Sequence, residues 1–174
     1  MRTSALLLLA LACTSRPATG LPPAAPVSAR DVTAQDWVGP PLERGQLVLH
    51  DAYGGAHPLE VEIADTQAAR TRGMMWRTGV PAGTGMLFIF PDEEDHSFWM
   101  RNTLVSLDML FLDHTGKVVG IVAQAEPQTT DRRSVGRPSL YVLEVAGGWT
   151  DKVGVVPGAR VELLGPLAGR AGRP

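Results

Sequence analysis

Phe98-Trp99-Met100-Arg101-Asn102-Thr103, followed by Leu107-Asp108, is the stretch of this 174-residue chain richest in groups that could do chemistry. Asp108 stands between Leu107 and Met109 in a run that is apolar on both sides. A carboxylate there must be paired or hydrogen-bonded, because an unpaired buried charge is very costly. Arg101 is the expected donor, since a guanidinium fork can meet a carboxylate bidentately. Glu144 repeats the pattern in Leu140–Val145 (LYVLEV), where strand alternation turns it from Tyr141, Leu143 and Val145 to the side of Val142. Two inward carboxylates, Arg101, Asn102 and a stacking face from Trp99 would make a site for a small polar ligand. The plainer alternative is that Asp108, Arg101 and Glu144 only satisfy loop backbone groups and that Trp99 is core.

Other chemistries find little support. The chain contains no phosphate-binding glycine loop, no G-x-S-x-G elbow and no H-E-x-x-H motif. His50, His57, His96 and His114 lack ligand spacing, and His114 is expected to be solvated in a hairpin loop. Ser97, Thr103 and Ser106 have no evident base beside them. Met74, Met75, Met86, Met100 and Met109 form a local excess, with His96 four residues before Met100. Thioethers suit Cu(I), but methionine is also a flexible core filler, and that reading is preferred. One cysteine excludes an internal disulfide framework and a cysteine-based metal cage. A net charge of −2 gives no footprint for nucleic acid. No metal or other cofactor is implied.

The elements that would position these groups are short. Leu59–Ala64 alternates as a half-buried strand, Asp65-Thr66 offers an N-cap for a helix over Gln67–Arg72, and Gly73 can close it. Gly85–Phe90 reads as a strand buried on both faces, Asp92–Asp95 as an acidic loop, and Ser97–Met100 as another strand. Leu107–Asp113 and Lys117–Ala123 flank His114-Thr115-Gly116 as a hairpin. Leu140–Val145 and Arg160–Leu164 add two more strands, with a helical turn at Thr150–Val153. No βαβ alternation is evident. The expected fold is mostly β: a small antiparallel β sandwich or barrel with one or two short helices.

The ends differ in composition. Arg2 precedes the apolar run Ala5–Ala12, which is too short to span a bilayer and fits an export signal over residues 1–12. Ala10-Leu11-Ala12-Cys13 resembles the lipobox of bacterial lipoproteins, which implies diacylation of Cys13, a membrane anchor, and exposure to the periplasm or cell surface. Residues 13–45 are rich in proline and alanine and read as a spacer. Residues 46–164 form the expected domain, and residues 165–174 a flexible tail.

The domain as a whole resembles a bacterial and archaeal family known only as domain of unknown function 192. The resemblance rests on Ala64-Asp65-Thr66, Arg72-Gly73-Met74-Met75, Gly85-Met86-Leu87-Phe88, the Phe98–Thr103 segment, Leu107-Asp108, Phe111 and Leu143-Glu144. It implies a compact, mostly β, often exported domain and assigns no activity. Within that frame the expected role is binding of a saccharide or cell-wall fragment. The alternatives are a hydrolase using Asp108 and Glu144 as a carboxylate pair, a structural envelope protein without a pocket, and a copper carrier.

Overall fold

The computed structural model describes residues 31–170. Seven strands form one sheet: β1 (Arg44–His50), β2 (Ala56–Ala64), β3 (Thr84–Glu94), β4 (Leu107–Leu112), β5 (Val118–Ala125), β6 (Ser139–Ala146) and β7 (Arg160–Leu163), ordered β5-β4-β6-β3-β2-β1-β7. The sheet rolls until its two edges meet at one end, where Lys117 bridges Arg160. There the Val118 N–H donates to the Ala159 carbonyl at 2.9 Å and the Val161 N–H to the Gly116 carbonyl at 2.8 Å. Gly116 (φ +80°) is required at this seam, because an added Cβ would lie 2.4 Å from the Val161 carbonyl oxygen. The mostly β expectation therefore holds, in the form of a partly closed roll.

Each face of the sheet carries its own core. One joins Leu47 and Leu49 of β1, Val61, Leu87, Leu110, Leu112, Leu143, Val145 and Val161. Helix α2 (Trp149–Val153) and a 3₁₀ turn over Gly165–Arg170 pack on this side through Trp149, Val153 and Leu167. The opposite face joins Ala64, Met74, Met86, Phe88, Met100, Met109, Phe111 and Val142, under helix α1 (Gln67–Arg72). Thr66 caps α1 as its composition implies, its Oγ1 accepting from the Ala69 N–H at 3.1 Å.

Four features depart from the sequence reading. β2 and β3 pair in parallel across α1, a single βαβ unit, because parallel neighbours need a crossover that a tight turn cannot supply. Asp92–Glu94 continue β3 past an irregularity that follows Ile89, so the acidic run is largely strand. Ser97–Met100 is no strand; only Phe98 bridges, to Arg133. His114 is exposed in the hairpin loop as expected, and its Nδ1 lies 2.8 Å from Glu93 Oε2. Parts of the expected spacer and tail are packed. Residues 31–37 are tied to the domain, and the 3₁₀ turn buries Leu167 against β1 while the Tyr141 hydroxyl donates to the Arg170 carbonyl at 3.1 Å. Cys13, the export signal and residues 171–174 lie outside the described residues.

Candidate functional site

Cross-strand register separates the two buried carboxylates. Asp108 pairs with Val145 and shares its face; Glu144 pairs with Met109 on β4 and with Met86 on β3. Successive residues of a strand point to opposite faces. Asp108 and Glu144 therefore project from opposite sides of the sheet and cannot line one pocket.

Asp108 has no solvent exposure, and Arg101 is not its partner. Its Oδ1 accepts from the Gln124 N–H at 2.7 Å and the Gly148 N–H at 2.9 Å. Its Oδ2 accepts from the Thr150 N–H at 2.8 Å and the Thr150 hydroxyl at 2.7 Å. Gly148, the N-cap of α2, has no side chain to satisfy the first N–H groups of that helix, so Asp108 supplies the acceptor from a neighbouring strand. Gln124 sits in the irregular part of β5, where a register shift against β4 leaves its N–H without a strand partner. Asp108 is thus a structural residue that pins α2 and β5 together.

Glu144 is the opposite case. It is 4 % exposed, and its carboxyl makes no hydrogen bond among the described residues. A row across the face runs Glu62, Met86, Glu144, Met109, so thioether side chains flank the carboxyl on both neighbouring strands. Burial pushes its pKa from 4.5 up to about 8, with Arg77 opposing the shift; Arg77 is itself ion-paired with Glu62.

Above Glu144 lies a cavity of about 270 Å³. Its walls include Met74, Met75, Phe88, Phe98, Trp99 and Thr103, with Arg70, Arg72 and Arg132 also lining it. Phe98 is wedged edge-on against Phe88, Phe90 and Phe111, with centroids 5.1, 6.1 and 5.8 Å away. The 98–103 segment is held by backbone bonds to the β5–β6 connection: Phe98 exchanges two with Arg133, and the Met100 N–H donates to the Thr129 carbonyl. Trp99 remains 44 % exposed and lines the cavity, which places it at the site and outside the core.

Of the expected site residues, the structure brings together Trp99 and Glu144. Arg101 is exposed and does not line the cavity. Asn102 does not line it either; its Nδ2 donates to the Thr33 carbonyl at 3.1 Å. That carbonyl also accepts from Trp76 Nε1 at 2.8 Å, and Arg72 Nη1 donates to the Val32 and Ala34 carbonyls. Asn102 (φ +59°) and Trp76 (φ +66°) both hold left-handed backbone, which asparagine tolerates and tryptophan rarely adopts. Together they fasten residues 31–37 as a strap beside the cavity wall. Sequence reasoning missed Arg70 and Arg132, which come from α1 and from a connection whose course only the fold defines. Of the five methionines, Met74, Met86, Met100 and Met109 are core residues of one cluster. His96 stacks on Phe90 at 3.6 Å, its Nε2 turned to the Asp92 carbonyl.

Residues 49–163 match a family described as an uncharacterised ACR, DUF192. The chain belongs to the DUF192 family. Two solved structures resemble this DUF192 chain. A proposed transcription regulator from Sinorhizobium meliloti 1021 is 33 % identical with a TM-score of 0.70, over 72 % of this chain and 98 % of that one. A protein of unknown function from Novosphingobium aromaticivorans DSM 12444 is 30 % identical with a TM-score of 0.67, over 83 % and 94 %. No curated protein matches the DUF192 chain. No helix among its described residues is long and apolar enough to cross a membrane.

Proposed function

We propose that this DUF192 chain is an exported, lipid-anchored binding protein whose cavity over Glu144 takes a small polar ligand, a saccharide or cell-wall fragment. One observation carries the reading: a buried carboxyl without a hydrogen-bond partner among the described residues lies at an aromatic cavity. A buried polar group left unmatched costs stability, so a ligand that hydrogen-bonds Glu144 recovers what folding gives up. Trp99 offers the exposed ring face on which a sugar would stack. The hydrolase alternative loses its geometric basis, because Asp108 points to the other face and every one of its contacts is structural.

Two measurements test the proposal. A thermal-shift panel of saccharides and peptidoglycan fragments should contain a member that raises the melting temperature, and Trp99→Ala should abolish the rise. A rise that survives Trp99→Ala would remove the stacking role. For the anchor, mass spectrometry of the membrane fraction should find an acylated N-terminal peptide beginning at Cys13; an unprocessed Met1 peptide in the cytosol would contradict export.

A further inference from the structure

Charge at the cavity narrows the ligand further. Three guanidinium groups line it, and no carboxylate salt-bridges any of the three among the described residues; Arg44, Arg77 and Arg170 each have such a partner. Arg72 is committed elsewhere, to the strap carbonyls and the Trp37 ring at 5.5 Å. Arg70 is held rigidly by one nitrogen: its Nη1 donates to the Asp65 and Ile89 carbonyls, and its Cζ lies 5.4 Å over the Phe90 ring. Carbonyls orient a guanidinium without cancelling its charge, and the remaining nitrogens keep donor capacity. Arg132 reaches the cavity from the β5–β6 connection, with Nη1 on Ser97 Oγ at 2.8 Å. Among the described residues Glu144 is the only carboxyl lining the cavity, and burial raises its pKa to about 8, so it offsets little of this positive charge.

We propose that the cavity selects an anionic ring compound, a carboxylated sugar, whose acid group meets Arg70 and Arg132 and whose ring lies against Trp99. This rests on the ligand-binding reading above. Preformed arginine forks suit carboxylates, and an orientation fixed before binding lowers the entropy of association. Glu144 at the other end of the ligand then serves as a hydroxyl donor to a neutral oxygen and selects against a second acid group.

The test compares matched probes at constant ionic strength: D-glucuronate against D-glucose, N-acetylmuramate against N-acetylglucosamine, and benzoate as an anion without sugar chemistry. Each is tested at about 10 mM, which saturates a site with a Kd of about 1 mM or tighter. The acidic sugars should raise the melting temperature and the neutral ones should not. Arg132→Gln, at an exposed position, should weaken the acidic sugar about tenfold, the loss expected for one charge-assisted hydrogen bond. Arg70→Gln should weaken it as well, though its carbonyl contacts make Arg132 the cleaner variant. Equal shifts from acidic and neutral sugars would overturn the charge inference and leave the binding reading standing. A benzoate shift alone, lost in Arg132→Gln, would keep the anion and overturn the sugar. Anion shifts unchanged by Arg132→Gln would overturn the proposed contact, and no shift from any probe would overturn both readings.

Discussion

Replacing Glu144 by glutamine converts the central feature of the site into a pH-dependent stability difference. Burial lifts this carboxyl from 4.5 to about 8 in the folded protein, while the unfolded chain keeps the ordinary value. Between those values the folded state binds more protons than the unfolded state, so stability falls as pH rises. Fully developed, the difference is about 5 kcal/mol, from roughly 1.4 kcal/mol for each pH unit of displacement. Little of it has been lost at pH 5, and most has been lost by pH 8. Glu144→Gln keeps the shape and polarity but cannot ionise. Its stability relative to wild type should therefore rise by about 3–4 kcal/mol between pH 5 and pH 8.

Urea denaturation of both proteins across that range, without ligand, measures the difference directly. Thermal melts should show the same trend, with a gap opening by on the order of 10 °C for a domain of this size. Groups that do not interact with residue 144 are common to both proteins and cancel in the comparison. Parallel profiles would refute the reasoning. They would mean that Arg77, or water entering the cavity, compensates the ionised carboxylate, and that Glu144 is charged at neutral pH.

Three further substitutions probe the surrounding structure. Asp108→Ala strips the acceptor from three backbone N–H groups and the Thr150 hydroxyl, and should cost about 3–5 kcal/mol in chemical denaturation; a loss below about 1 kcal/mol would contradict the pinning role. Asn102→Ala removes the side-chain bond to Thr33 and places alanine at φ +59°. Hydrogen exchange at Ala34 and Trp37 should accelerate by a factor on the order of ten, and unchanged rates would show that Arg72 and Trp76 hold the strap alone. Gly85→Ala sets a Cβ 2.6 Å from the Glu144 carbonyl oxygen, against backbone that cannot turn aside. It should destabilise by about 1–3 kcal/mol in chemical denaturation, whereas a neutral effect would mean that β3 and β6 part easily.

Much of the fold is legible because its signals are local. Thr66 before Gln67–Arg72, Gly116 in the β4–β5 loop and the alternation of LEVEIA each act within a few residues. β1 is less legible: Leu47 and Leu49 alternate, but the strand follows proline-rich chain and is fixed by pairing with β2 and with β7, the latter remote in sequence. The parallel β2–β3 pair, the strap and the 3₁₀ cover on β1 are likewise non-local. The site divides in the same way. Trp99 and Glu144 are visible as an aromatic in a polar motif and an acid in an apolar strand. Their convergence with Arg70 and Arg132 is a property of the roll, which brings α1 and the β5–β6 connection to one cavity.

Asp108 and Glu144 show why burial alone does not identify a functional acid. Both sit in apolar strands of one sheet, in neighbouring positions on β4 and β6, and both are nearly inaccessible. What separates them is hydrogen bonding: Asp108 accepts four bonds, while Glu144 makes none among the described residues. Sequence alternation could not reveal this, because which face each acid takes depends on register between strands. An acid whose acceptors are filled by backbone donors has no capacity left for a ligand. An acid set among thioethers at a cavity keeps all of it, at a cost to folding that a ligand can recover. The two variants should therefore diverge in opposite senses. Removing the Asp108 carboxylate destabilises the protein by stripping four donors of their acceptor. Neutralising Glu144 should raise stability relative to wild type as pH climbs above about 5.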